Sequence, residues 1–169
     1  PRACQNATLL NGGTMDFNSG ANQFEVYGSL DVESGFTFAN AASGELEIRG
    51  VGNQNLSIAS AFPNDLIVNN SGVSPTNKVS VSANSEVQGD ITIQDGVLSV
   101  ANGVTLTVGG NLDIQTGGQL QILPGGVVSF GNGSVLTVDA GGILTMVGTS
   151  GLKSKITGTT GSSYKAGRT

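Results

Sequence analysis

The sequence holds no histidine, no tryptophan and a single cysteine. Without histidine, a Ser-His-Asp or Cys-His catalytic arrangement is excluded, and the commonest general base and metal ligand is missing. Cys4 has no partner for an internal disulfide, and no Cys-x-x-Cys or Cys/His cluster exists to hold zinc. Three residues from the chain start, it reads as a buried or frayed thiol rather than a reactive one. Charged residues make up 11%, against roughly 25% in ordinary domains. No run of about 18 apolar residues is present, so no membrane-spanning helix is expected. There is no initiator methionine and no signal peptide, which reads as an internal or processed piece of a longer polypeptide.

The few charges are unevenly placed. All 12 acids fall within residues 1–152, with only Arg2, Arg49 and Lys78 among them, whereas Lys153, Lys155, Lys165 and Arg168 stand in an acid-free segment at the C-terminal end. An acidic body excludes a nucleic-acid footprint, which needs clustered Lys and Arg to displace counterions. Basic residues interleaved with aromatics, as single-stranded nucleic acid requires, are also absent.

What remains is a strand-and-turn vocabulary. The chain has 27 Gly and is 37% hydrophobic, mostly Val, Leu and Ile, which suit a pleated, half-buried surface. Glycines recur at 89, 96, 103, 110, 118, 126, 133, 142 and 151. Between them lie short alternating units such as Ile91-Thr92-Ile93, Leu98-Ser99-Val100, Leu106-Thr107-Val108, Leu112-Asp113-Ile114 and Leu120-Gln121-Ile122. Period-2 alternation is a strand with one face buried, and Gly-Gly pairs such as Gly117-Gly118 supply corners that need positive φ or close backbone approach. Strands this short and this monotonous suit stacked coils, each strand pairing with its counterpart above and below. The expected fold is therefore all-β: a parallel β-helix or β-solenoid with short strands, Gly/Asn corners and about 22 residues per coil. An antiparallel β-sandwich is the alternative, since evenly spaced short strands also build sandwiches.

The solenoid is expected over residues 1–157, less regular in 1–78 and regular in 79–157, followed by a Gly/Ser/Thr-rich basic tail or linker at 158–169. The first part keeps the alternation in Phe24-Glu25-Val26, Leu30-Asp31-Val32, Leu46-Glu47-Ile48 and Leu56-Ser57-Ile58. It also holds every Phe except Phe130, which implies a wider or differently shaped core. The strongest break is Asn69 to Asn77, read as a bulge or loop because Val79-Ser80-Val81 resumes the rhythm at once.

Phe62, Asn64, Leu66, Val68, Asn69 and Asn70, followed by Val87, Gly89, Ile91, Ile93, Gly96 and Leu98, carry a specific pattern. It resembles the repetitive β-solenoid regions of large surface and secreted proteins of Bacteroidetes exported by the type IX secretion system. The resemblance implies an extracellular or cell-surface location and a structural or adhesive role within a larger protein. Any catalytic or sugar-binding module would then lie elsewhere in the polypeptide. The C-terminal sorting domain of that family is not in this chain.

Site chemistry is sparse. Asp31/Glu33 and Glu45/Glu47 are i, i+2 pairs that share a strand face, read as solvated acids that discourage edge aggregation. No enzyme activity is expected. A polysaccharide-degrading β-helix, the alternative reading, would need Arg49 or Lys78 to meet an acidic cluster. Asp90, Asp95 and Asp139 adjoin Gly corners and are weak candidate calcium ligands, although the Gly-Gly-x-Gly-x-Asp repeat is missing; no other cofactor is expected. A glycan is a second candidate partner, with only Tyr27 and Tyr164 beside the Phe to stack on sugar rings. Solenoid ends expose unpaired strands, so the expected partners are the rest of a longer polypeptide, another copy, or the anchoring or secretion machinery.

Overall fold

The structure is a computed structural model that describes residues 2–17, 22–39 and 44–166. It is all-β and parallel, a β-solenoid whose coils lie roughly 22 residues apart. Three faces wind in order. The first stacks β1 (Arg2–Cys4), β4 (Gln23–Val26), β7 (Glu45–Gly50), β9 (Asp65–Asn70), the first half of β12 (Ile91–Val100), β14 (Leu112–Ile114), β17 (Val135–Val138) and β20 (Ser163–Ala166). The second stacks β2 (Ala7–Leu9), β5 (Leu30–Val32), β8 (Gln54–Ile58), β10 (Lys78–Val81), the second half of β12, β15 (Gly118–Ile122) and β18 (Ile143–Met146). The third holds β3 (Thr14–Asp16) on β6 (Thr37–Ala39), then β11 (Ser85–Val87), β13 (Thr105–Val108), β16 (Val127–Phe130) and β19 (Lys155–Gly158). All pairs run parallel, so the antiparallel sandwich is excluded.

Register explains the core. On the first face Val26, Ile48, Val68, Ile93, Ile114 and Val138 stand one above another, all buried. On the second, Leu30, Leu56, Val81, Val100 and Ile122 do the same. Each aliphatic side chain so buried stabilises by about 1.5–3 kcal/mol. The third face of the early coils is filled by aromatics: Phe38 lies 5.0 Å from Phe62 and 5.1 Å from Phe36, both edge-on, with Phe17 6.1 Å from Phe62. This is the differently shaped core that the cluster of Phe implied. There Phe62 makes only an isolated parallel bridge to Val87.

Corners divide the labour between glycines and side-chain oxygens. Gly117 takes φ +96, and a Cβ on Gly118 would overlap the Ile93 carbonyl oxygen one coil below. At the corner leading into the first face, Asp65 Oδ1 accepts the Asp90 N–H at 2.8 Å, Asp90 Oδ1 accepts the Asn111 N–H at 2.7 Å, and Asn111 Oδ1 accepts the Val135 N–H at 2.9 Å. This ladder of short polar side chains links four successive coils through amides that the strands leave unpaired.

Two boundaries differ from expectation. Asn69 and Asn70 belong to β9, and the loop begins at Ser71. The fully buried Asn70 amide donates to Gly52 O at 2.7 Å and Gln54 Oε1 at 2.9 Å, so its polarity is spent inside the corner. Second, the solenoid does not stop at 157: β20 pairs with β17, Leu136 facing Tyr164. Every residue of β20 is exposed, so backbone pairing holds it rather than apolar burial, and its sequence lacks the pair of aliphatic residues that marks most of the other strands. Residues 167–169 of the expected tail lie outside the described residues.

Core and corner should separate in a stability measurement. Leu98→Ala empties a fully buried position in register with Val79 and Leu120 and is expected to cost about 2–5 kcal/mol. Asp90→Ala removes one exposed rung of the ladder and is expected to cost about 1 kcal/mol. Denaturant unfolding of both variants checks this; equal losses would show that the corners, not the core, hold the coils.

Candidate functional site

The densest group of interacting polar side chains lies on the outer surface of the first face. Outward positions of β4 and β7 alternate Gln23, Glu25 and Glu45, Glu47, Arg49 around the inward Phe24, Val26, Leu46 and Ile48. Parallel register sets Glu25 directly against Glu47, and Arg49 against Asn69 of β9. Tyr27 follows β4 and donates its backbone N–H to Cys4 O.

Two like charges one rung apart repel unless something lies between them. Arg49 does: its Nη1 is 3.3 Å from Glu25 Oε1 and its Nε 3.3 Å from Glu47 Oε1. Glu47 also accepts from Gln23 Nε2 at 2.7 Å and Asn69 Nδ2 at 3.0 Å, and Glu25 accepts the Tyr27 hydroxyl at 3.0 Å. The Arg49 guanidinium lies 5.8 Å from the Tyr27 ring centroid, within cation–π range. The side chains of Glu47 and Glu25 are only 7% and 11% exposed, that of Arg49 39%. The attraction of Glu47, ahead of that of Tyr27, raises the Arg49 pKa. Glu47 is thus not the solvated acid its strand position suggests, because Gln23, Arg49 and Asn69 close around it. Glu45, Asp31 and Glu33 are exposed; Glu33 Oε2 accepts the Asn11 N–H at 2.9 Å.

Sequence reasoning singled out Glu45/Glu47 and Arg49 but not Glu25 as their partner. Laying Gln23–Tyr27 over Glu45–Arg49 at the 22-residue coil spacing gives that pairing, and with it Tyr27 beside Arg49. Arg49 does meet acids, as a polysaccharide-cleaving β-helix would require. Both carboxylates, however, are already acceptors for donors on their own and adjacent rungs, which leaves neither arranged as a proton donor to a substrate. Lys78 lies at the start of β10 on the second face, where its N–H donates to Asn53 Oδ1.

The calcium candidates do not converge. Asp90 sits in the corner ladder, Asp95 Oδ1 accepts the adjacent Gly96 N–H at 2.7 Å where β12 turns from the first face to the second, and Asp139 is exposed in a later turn. No group of three His, Cys, Asp or Glu able to hold a metal occurs among the described residues. Cys4 is half-buried in β1, and burial raises its thiol pKa, which disfavours the reactive thiolate. Among the described residues, no helix is long and apolar enough to cross a membrane.

Beside the network runs a groove of about 320 Å³ lined by Gln5, Tyr27, Arg49, Gly50, Val51, Asn69 and Ser71. At the far end of the solenoid a larger cavity, about 460 Å³, opens between Phe130, Leu136, Leu144, Ile156 and Tyr164. It is the interior column seen end-on, beyond the last described rung.

The Tyr27 phenol pKa is raised, first by its hydrogen bond to Glu25, then by burial and the charge of Glu25, with Arg49 opposing. A raised pKa in the fold means that the protonated phenol contributes stability below the ordinary value near 10, and that this contribution is lost as pH rises through the raised value. Thermal midpoints of the protein and of Tyr27→Phe, measured between about pH 8 and about pH 12, should differ most at the lower pH and converge at the upper. A gap that widens with pH would contradict the assigned hydrogen bond.

Comparison with family models, with curated proteins and with solved structures finds no match to this chain.

Proposed function

We propose that the chain is a structural or adhesive segment of a larger extracellular or cell-surface protein, a stiff β-solenoid that carries out no chemistry of its own. The observation that carries this reading is the uninterrupted, in-register aliphatic column, from Val26 to Val138 on the first face, wrapped in outer faces of small polar residues. Such a column resists bending, and between these rungs the stacked aliphatic side chains fill the interior. The outer carboxylates that are withdrawn from solvent, Glu25 and Glu47, share the Arg49 guanidinium between them. The likeness of the Phe62–Leu98 pattern to type IX secretion substrates of Bacteroidetes supports a place outside the cell.

Partners at the ends follow from the same geometry. The rung of β18, β19 and β20 has no further strand on it among the described residues. Ile143, Met146, Leu152 and Tyr164 are exposed there, around the open cavity. A further coil, from the same polypeptide, another copy or an anchoring protein, would bury this surface and pair these strands.

Two measurements test the proposal. Protease added to intact cells that make the protein should cleave it while leaving a cytoplasmic marker whole; full protection would end the extracellular reading. Pulled from its ends, the solenoid should unravel coil by coil, each step releasing about 22 residues, roughly 75 Å of chain. Rupture at negligible force would disqualify it as a stiff spacer.

A further inference from the structure

The groove beside the Glu25–Arg49–Glu47 network combines fixed donors with an apolar plate. The two carboxylates hold the Tyr27 hydroxyl and the Arg49 guanidinium in place, so neither side chain must be ordered on binding. Of the five guanidinium N–H groups, two face the carboxylates, and the others have no acceptor among the described residues. Tyr27 is 40% exposed and Val51 72% exposed, both on the groove wall. Gln5, Asn69 and Ser71 add amide and hydroxyl groups along it. A hydroxyl pair facing a guanidinium edge, with the C–H face of a ring laid on tyrosine and valine, is how proteins hold a sugar.

We infer that this groove binds one or two residues of a neutral polysaccharide. Charge selects the class: Glu25, Glu47 and Arg49 together carry −1 within an acidic chain, which repels uronates, sulfated glycans and phosphates. Because both carboxylates are already engaged, the sugar is held and not cleaved. This goes beyond the scaffold reading, which depends on surface exposure and stiffness rather than on this groove.

The test is amide NMR of the 169-residue chain titrated separately with cellohexaose, xylohexaose, mannohexaose and hexagalacturonate. At least one neutral hexaose should shift Gln5, Tyr27, Val51 and Ser71 selectively and near saturation by about 10 mM, as a site of millimolar dissociation constant does. Hexagalacturonate should bind several-fold more weakly. Tyr27→Ala and Val51→Glu should each weaken binding about tenfold, equivalent to about 1.4 kcal/mol. Val51 takes no part in the hydrogen-bond network, so that variant decides the matter if Tyr27→Ala fails to fold. No shift with any neutral hexaose, tighter binding of hexagalacturonate, or indifference to Val51→Glu would overturn the assignment.

Discussion

Parallel pairing between successive coils governs this molecule. A strand of three or four residues has too few hydrogen bonds to persist alone, and here each is held by strands of the neighbouring coils, on both edges through the middle of the solenoid. That arrangement demands that every coil return to the same height at the same face. Inward residues on the first face recur at Phe24, Leu46, Leu66, Ile91, Leu112, Leu136 and Tyr164, at intervals from 20 to 28 residues. The variation is absorbed at corners, in the segments around residues 71–77 and 147–154, and at a bulge between Ile93 and Asp95 of β12. The interior therefore stays in register although the sequence does not repeat exactly in length.

The same requirement explains the composition. Corners must turn sharply while lying flat on the corner below, and side chains obstruct both demands. Glycine satisfies them at Gly117-Gly118, whereas Asp65, Asp90 and Asn111 occupy the places where an amide would otherwise lack an acceptor. Long charged side chains have little room in such a lattice. Where they gather among the described residues, on β4 and β7, a shared cation holds them: Arg49 lies between two stacked carboxylates that would otherwise repel.

Much of the fold was legible because burial is written into alternation. Ile91-Thr92-Ile93 and Leu120-Gln121-Ile122 announce both a strand and its inward face, and the coil length follows from spacing the corners. Strand β20 was not legible: Ser163–Ala166 lacks an aliphatic pair and is held by backbone bonds to β17. The end of β9 was missed for the opposite reason, since Asn69 and Asn70 look like turn residues until their amides are seen bonded to Glu47 and Gln54. The Glu25–Glu47 pair belongs to a third kind. Each residue alone looks like an exposed acid, and only the register between coils brings them together.

Strand β12 crosses from the first face to the second without leaving the ladder, the chain bending at Asp95-Gly96. Where the other described coils divide these two faces into separate strands, this one ties them into a continuous sheet. The bend itself is paired there, Asp95 with Asn69 and Gly96 with Gly118, so turning one face against the other at that height must break ladder bonds that an unpaired corner does not have.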